Sequence, residues 1–286
     1  MTDIIRDPRA LFARCETERK RGATVGFVPT MGALHDGHMS LVDECTRRGA
    51  NLRVMSIFVN PLQFGPTEDL ARYPRTFDAD LERCQARGVD IVYAPTPEAM
   101  YPKGFQTQVE VPELSARFDG VFRPTHFRGV ATVVTKLFTA VGPCVAVFGR
   151  KDYQQWKLLV RLANDLNLPV DVVGAPIVRE PDGLAMSSRN RYLEPALRTR
   201  AAAIAVGLRA AHDAYASGER SPHTLAGLVR DQVAKAFDSI DYIEAADPDT
   251  LEPLETGRDQ QVILVAARLG ATRLIDNLEL GHDPRP

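Results

Sequence analysis

Short apolar runs recur through the first 179 residues, and most are followed by a longer stretch in which apolar positions return every three or four residues. The runs Thr24–Val28, Leu52–Val59, Ile91–Ala94, Cys144–Phe148 and Val170–Val173 are mostly continuous in apolar character rather than alternating. That is the pattern of strands covered on both faces. The stretches His38–Arg48, Thr76–Arg87, Val130–Val141 and Asp152–Asn164 carry helical spacing. Strand, crossover helix and strand in repetition predict an α/β fold, a doubly wound parallel sheet of Rossmann-like form. The pattern changes at a polar loop, Arg179 to Leu193. An alanine-rich helix is predicted over Pro195–Ser217, a second over Ser221–Phe237, and β-like runs at Tyr242–Ala245, Val262–Ala267 and Thr272–Asn277. Two domains are therefore expected, residues 1–179 and a smaller α+β domain over residues 180–286.

The chain length of 286 residues suits that division, at ~150 residues per domain. With 44% hydrophobic and 25% charged residues the composition is that of an ordinary globular protein. A net charge of -2 gives no electrostatic reason to expect nucleic acid as a partner, although a local site for a small anion remains open. No apolar run approaches the ~18 residues of a membrane span, and the charged start Met1-Thr2-Asp3 shows no signal core. Cys15, Cys45, Cys84 and Cys144 are scattered without a C-x-x-C pair, which fits a reducing compartment. A cytoplasmic location is expected.

The candidate chemistry begins with Pro29-Thr30-Met31-Gly32-Ala33-Leu34-His35-Asp36-Gly37-His38, a glycine turn between the first predicted strand and a helix beginning near His38. Backbone N–H groups at a helix start, at the positive end of its dipole, favour anions. Imidazoles there can donate to phosphate oxygens, so the segment suits triphosphate handling. Three other readings exist. H-x-x-H is half of a zinc site, but zinc needs three or four convergent ligands and no further His or Cys is close in sequence. The spacing Gly32 to Gly37 imitates a P-loop, but His38 and Met39 stand where that motif needs Lys and then Ser or Thr. The two histidines can also simply cap a helix.

Three further polar clusters follow predicted strands, and in doubly wound sheets ligands bind beyond the strands' carboxyl ends. Asn60-Pro61-Leu62-Gln63-Phe64-Gly65 carries neutral amides that can orient a small polar substrate or lie exposed in a turn. In Gly149-Arg150-Lys151-Asp152-Tyr153-Gln154-Gln155, Lys151 offers a point charge for phosphate and Asp152 an acceptor for ribose hydroxyls, or a cap for the next helix. Gln155 lies one turn into that helix. Ala185-Met186-Ser187-Ser188-Arg189-Asn190-Arg191 combines hydroxyls and guanidinium groups suited to a polyanion, or to a solvated loop. Arg123, His126 and Arg128 form another polar stretch, read as a substrate-flanking or subunit-contact loop.

Taken together these blocks resemble a known family. H-x-G-H early and M-S-S-R-N late resemble the paired signatures of the nucleotidyltransferase superfamily. Within it the chain is similar to the pantoate–β-alanine ligases. The likeness rests on Pro29 to His38, Ser56 to Phe64, Tyr73 to Thr76, His126 to Val130, Gly149 to Gln155 and Asp182 to Asn190, in that order, and extends to Leu264–Asn277.

The resemblance implies a two-step, magnesium-dependent ligase. Pantoate and ATP give pantoyl adenylate and pyrophosphate; the amine of β-alanine then releases AMP and pantothenate. It implies that Met31, Gly32, Ala33, Leu34, His35, Asp36, Gly37 and His38 line the ATP site, with His38 and His35 catalytic and an imidazolium suited to the developing phosphate charge. Gly149, Arg150, Lys151 and Asp152 would also hold ATP, Lys151 acting on the phosphates. Val178 would contribute by backbone, and Met186, Ser187, Ser188 and Arg189 would close over the phosphates. Gln63, Gln155 and Asn60 would take the substrates, with Gln63 also near β-alanine. No metal ligand is singled out. Nucleotide and pantoate binding would fall to residues 1–179 with residues 180–286 as a lid, in a homodimer. Thr125, where glycine is more common, and Arg150, an added positive charge, depart from the family pattern. Two other classes stay open on the residues: another adenylyl or nucleotidyl transferase, and a module that binds ATP without turnover.

Overall fold

Strands β1 (Asp3–Ile5), β2 (Val25–Thr30), β3 (Leu52–Ile57), β4 (Ile91–Tyr93), β5 (Cys144–Gly149) and β6 (Val170–Ala175) form one sheet in the computed structural model, which describes residues 2–66 and 68–286. All neighbours run parallel, in the order β1-β4-β3-β2-β5-β6. From β2 the chain moves outward through β3 to β4, then returns to β5 on the other side and continues to β6. The reversal lies between β2 and β5, which pair through Gly26 with Val145 and Phe27 with Ala146. A doubly wound sheet opens its ligand crevice at such a reversal, outside the carboxyl ends of the strands.

Helices α1 (Pro8–Lys20), α2 (Asp36–Arg47), α3 (Phe77–Ala86), α4 (Pro97–Met100), α5 (Pro112–Ser115), α6 (Asp119–Phe122), α7 (His126–Val141) and α8 (Tyr153–Asp165) accompany this sheet. Successive residues of a strand face opposite sides, and β2 shows both. Val28 packs in the layer formed with Met39, Val42 and Cys45 of α2 and Cys84 of α3. Phe27 points the other way, its ring 6.5 Å from that of Phe138 on α7. Arg19 of α1 donates to the carbonyls of Val141 (3.0 Å) and Pro143 (3.0 Å), satisfying the C-terminal end of α7.

The chain forms two units. The first comprises residues up to Arg150 together with Gln155–Ala175; the second comprises Lys151–Gln154 and Pro176–Pro286. In the second, α9 (Pro195–Ala201), α10 (Ala203–Ala216) and α11 (Pro222–Ala236) precede an antiparallel sheet of β7 (Ser239–Ala246), β8 (Gln261–Leu269) and β9 (Thr272–Leu280). Its core joins Ile204 and Leu208 of α10, Leu225 and Val229 of α11, and Ile263, Val265 and Leu278 of the sheet. The smaller α+β fold read from the sequence is present.

Several predicted boundaries move. Helix α2 starts at Asp36 rather than near His38, because His35 occupies the capping position with extended backbone (φ -139°, ψ 176°). Helix α7 starts at His126 rather than Val130, since His126, Phe127 and Gly129 are already buried in its first turn. The single helix predicted over Pro195–Ser217 is two, broken at Ala202, with no glycine or proline to mark the break. Neither β1 nor α1 was expected. The first is a three-residue edge strand, and the second buries only Leu11 and Cys15.

Gly26 fixes how closely α2 lies on the sheet. A Cβ there would fall 2.7 Å from both Ala50 Cβ and Cys45 Cβ, so helix and strand would have to part. Gly26→Ala is expected to destabilise the protein by about 1–3 kcal/mol, the usual cost of overpacking. Denaturant unfolding measures this, and an unchanged midpoint would contradict the close approach.

Candidate active site

The turn that follows β2 sits at the reversal of the sheet. Gly32 (φ 84°) and Ala33 (φ 51°) are both left-handed, an uncommon state for alanine. What holds them there is Asp80 of α3. Its Oδ2 accepts the Ala33 N–H at 2.9 Å and its Oδ1 the Leu34 N–H at 2.8 Å, while Thr76 Oγ1 donates to Oδ2 at 3.1 Å. The carboxylate is 3% exposed, so it is stabilised by hydrogen bonds rather than by water. The Gly32 N–H donates to Thr30 Oγ1 at 3.1 Å. Four successive amides, Gly32 to His35, are thus committed within the protein. Of the N–H groups at the start of α2, those of Asp36 and Gly37 have no partner in any described hydrogen bond among the described residues.

His38 occupies the third position of α2 and reaches back. The His35 N–H donates to His38 Nδ1 at 3.2 Å, and the two rings lie 4.0 Å apart. A ring nitrogen that accepts carries no proton, so the His38 proton resides on Nε2. An imidazolium would lose this bond. This arrangement fits the His38 tautomer that carries its proton on Nε2. The Asp36 carboxylate meets Arg83 at 3.1 Å on the surface.

Beside this turn, Asn60 and Gln63 are both buried. Gln63 Nε2 donates to Met31 Sδ at 3.0 Å, which joins the loop after β3 to the turn after β2. Asn60 Nδ2 donates to Gln63 Oε1 (3.1 Å) and to the Gly129 carbonyl (3.1 Å). Helix α7 comes so near that a Cβ at Gly129 would stand 2.2 Å from the Leu62 carbonyl oxygen. Arg123 and His126, read from the sequence as a flanking loop, hold the backbone of the same segment. His126 Nδ1–H donates to the Gln63 carbonyl at 2.9 Å, and Arg123 pairs with Glu68 at 2.6 and 2.8 Å while reaching the Gln63 carbonyl at 3.3 Å. Burial pushes the Glu68 carboxyl up, but the Arg123 hydrogen bond and charge, with the Gly65 N–H, leave it below its ordinary value. Burial, with the Arg123 charge, lowers His126 to about 4. Arg128 contributes its carbonyl, to Thr132 Oγ1. Thr125 has φ -100°, a backbone conformation that does not require glycine. Gly149 ends β5, Arg150 after it is buried, and Gln155 is half-buried in the first turn of α8.

The second unit holds the other predicted residues. The Lys151 carbonyl accepts Asn277 Nδ2 at 2.9 Å, which ties its backbone to β9, and the Lys151 ammonium lies 3.8 Å from the Asp152 carboxylate. Val178 and Met186 face each other across a hairpin, the Met186 N–H donating to the Val178 carbonyl at 2.9 Å. Arg179, at the hairpin base, makes a bidentate pair with buried Asp276 (2.7 and 3.0 Å) and donates to the Gly183 carbonyl at 2.9 Å. Ser187 Oγ accepts the Arg189 N–H at 3.2 Å and so caps the 3₁₀ turn Ser188–Tyr192. Asn190 Nδ2 donates to Glu180 Oε1 (2.7 Å) and to the Ala185 carbonyl (3.1 Å). Sequence reasoning missed Asp80, Tyr101, Asp276 and Asn277, and gave Asn190 no role of its own although it lies in the M-S-S-R-N block. Among the missed residues a signal existed only for Asp276-Asn277, an acidic and amide pair inside an apolar strand pattern.

Among the described residues, no group of three or more His, Cys, Asp or Glu is arranged to hold a metal ion, and no helix is long and apolar enough to cross a membrane.

Comparison with known proteins matches the family model described as pantoate-beta-alanine ligase over residues 3–279. The pantothenate synthetase of Syntrophotalea carbinolica is 52% identical over 276 residues, covering 96% of this chain and 97% of that protein. The crystal structure of pantothenate synthetase from Thermus thermophilus superposes with a TM-score of 0.91 at 44% identity, covering 97% of this chain and 99% of that one. The pantoate-beta-alanine ligase of Francisella tularensis, solved in complex with beta-gamma ATP and β-alanine, gives a TM-score of 0.81 at 28% identity over the full length of both chains.

Two outcomes follow from the geometry of the first unit. Asp80→Asn would turn an NH₂ toward one of two buried amides, at an expected cost of about 1–3 kcal/mol. Hydrogen exchange at Ala33 and Leu34 should accelerate with it, and unchanged protection there would contradict the clamp. For His126, the folded value near 4 lies below the ~6.5 of an unfolded histidine. The unfolded chain binds more protons between those values, so this contribution to stability is complete above pH ~6.5 and is lost progressively as pH falls toward 4. His126→Asn should remove that part of the acid sensitivity, roughly 2–3 kcal/mol, in unfolding measured at pH 7 and pH 4. Equal acid sensitivity in parent and variant would exclude it.

Proposed function

The chain belongs to the pantoate–β-alanine ligase family, and from that premise we propose that it joins pantoate to β-alanine, with ATP cleaved to AMP and pyrophosphate through pantoyl adenylate. The observation that carries the reading is the family match over residues 3–279, with the histidine turn at the sheet reversal inside it. The Francisella relative's complex with beta-gamma ATP and β-alanine supports the substrate set. Chemically, a carboxylate resists amine attack until one of its oxygens becomes a good leaving group. A pantoate carboxylate oxygen bonds to the α-phosphorus, and the bond to the bridging oxygen breaks with departure of pyrophosphate. The β-alanine nitrogen then bonds to the acyl carbon, AMP leaves with the former carboxylate oxygen, and the amine loses a proton.

Positioning and charge stabilisation carry most of such a reaction. His38 would donate Nε2–H to phosphate oxygen as charge develops there, and His35 would stand beside it. The Asp36 and Gly37 amides, at the positive end of α2, would take phosphate oxygens, with Met31 to Leu34 shaping the ATP site. Lys151 would neutralise phosphate charge and Asp152 accept from ribose, with Gly149, Arg150, Val178, Met186, Ser187, Ser188 and Arg189 completing ATP binding. Gln63 and Gln155 would bind pantoate, Gln63 also serving β-alanine, and Asn60, whose own polar atoms are all engaged within the protein, would serve the substrates by orienting Gln63. Neutral amides suit that task, since a fixed cation would weaken the carboxylate as a nucleophile. Magnesium would accompany ATP and screen its phosphate charge. A homodimeric state and a cytoplasmic location belong to the same proposal.

An AMP-release assay with each substrate omitted in turn tests the reaction. AMP should form only when ATP, pantoate and β-alanine are all present, while pyrophosphate exchange into ATP should require pantoate but not β-alanine. Exchange independent of pantoate would overturn the proposal. His38→Ala should lower kcat by about 10²-fold or more, the scale of a lost transition-state donor, with little change in the KM for ATP; near-normal turnover would remove His38 from the chemistry.

A further inference from the structure

The two amides beside Met31 do not have free orientations. Asn60 caps the 3₁₀ turn Pro61–Gln63, its Oδ1 accepting the Leu62 N–H at 3.3 Å. Its Nδ2 donates to the Gly129 carbonyl at 3.1 Å. A backbone N–H can only donate and a backbone carbonyl can only accept, so these two contacts decide which end of Asn60 is oxygen. The shortest contact of the group is a third one: Tyr101 Oη–H donates to Asn60 Oδ1 at 2.7 Å. Tyr101 follows α4, and its ring packs against Phe58 (6.3 Å) and Phe105 (5.1 Å). Burial raises the Tyr101 phenol well above its ordinary value, so it stays protonated and donates.

The polarity passes to Gln63. Asn60 presents Nδ2 to it at 3.1 Å, so Gln63 must turn Oε1 inward and Nε2 outward, toward Met31 Sδ. The flipped amide would set NH₂ against NH₂ in a buried place and leave two donors unpaired, which disfavours it. We propose that Tyr101 is a positioning residue for substrate selection, acting through the relay Tyr101 to Asn60 to Gln63 that fixes Gln63 as a hydrogen-bond donor. A Gln63 held this way meets ligands that present acceptor oxygens, the carboxylate and hydroxyl oxygens of a hydroxy acid, and disfavours a group that itself donates at that point. This rests on the reading above in which Gln63 binds pantoate.

The test is a double-mutant cycle on pantoate kinetics. Tyr101→Phe keeps the ring and removes only the hydroxyl, and should raise the KM for pantoate about three- to tenfold, the scale of one lost hydrogen bond. The KM for ATP and the melting temperature should stay near those of the parent. In a Gln63→Ala background the same substitution should add no further change, since the relay then has no end group to orient. An equal pantoate effect in both backgrounds, or none in the parent background, overturns the relay. Pantoate-dependent turnover by the unsubstituted protein, measured first, separates a failure of the relay from a failure of the functional reading.

Discussion

The carboxylate of Asp80 is the constraint on which the histidine turn depends. Residues 32 and 33 both take left-handed backbone, and the alanine does so against its own steric preference. Two N–H groups fixed on one carboxylate, 2.9 and 2.8 Å away, offset that preference. Once Ala33 and Leu34 are held, the chain emerges extended at His35 and helix α2 begins at Asp36. Only then does the third helical residue, His38, stand where its Nδ1 can accept the His35 amide. The proton on His38 Nε2 is thus a consequence of a buried acid on a different helix. The glycine turn looks from its letters like a phosphate cradle built of backbone. It is instead one whose inner amides, those of Ala33 and Leu34, serve Asp80.

The same design recurs in the second unit with other residues. Asp276 and Asn277 are neighbours in β9, both buried, and each reaches outside its strand. Asp276 takes Arg179 in a bidentate pair, and Asn277 holds the Lys151 carbonyl. The Asn277 N–H also donates to Asp276 Oδ1 at 2.8 Å. Strand residues provide a stiff support, so side chains on exposed loops inherit their placement from a sheet. In both units, loops that carry residues proposed to touch substrate are pinned by a buried polar residue on a helix or strand, Asp80 for the turn after β2 and Asn277 for the segment at Lys151.

The fold was legible where burial leaves a one-letter trace. Most of the five predicted strands of the first unit are continuous apolar runs because both faces of a parallel sheet are covered in its interior, and all five formed, Val170–Val173 as part of the partly exposed edge strand β6. The polar clusters at the ends of β2, β3 and β5 were legible because glycine, proline, histidine and amide residues interrupt those runs abruptly. Asp80 was not. In Thr76-Phe77-Asp78-Ala79-Asp80-Leu81-Glu82-Arg83 it is one acid among several on an apparently solvated helix, and nothing local distinguishes the buried one from the exposed. His126 was misplaced for a related reason. Arg123, His126 and Arg128 read as a flanking or contact loop ahead of a helix at Val130, yet His126 opens that helix and is buried with its ring nitrogen on the Gln63 carbonyl. Partners separated by 47 and 63 residues leave no periodic signature.

Charge is kept away from the amides for a physical reason. Asn60, Gln63 and Tyr101 are neutral, and burial with the Arg123 charge pushes His126 toward its neutral form. Arg123 itself is spent on Glu68. A carboxylate entering beside Gln63 would therefore meet oriented dipoles rather than a full positive charge. Dipoles bind a carboxylate through hydrogen bonds that it can partly give up as it forms a new bond, whereas an ion pair would be broken at a larger cost in a desolvated place. Orientation is what neutral groups lose most easily, because an amide can flip where a cation cannot. A site that binds an acid with amides must consequently fix their direction by other means. Here the fixed donors and acceptors of the Leu62 and Gly129 backbone, with the Tyr101 hydroxyl, supply that direction.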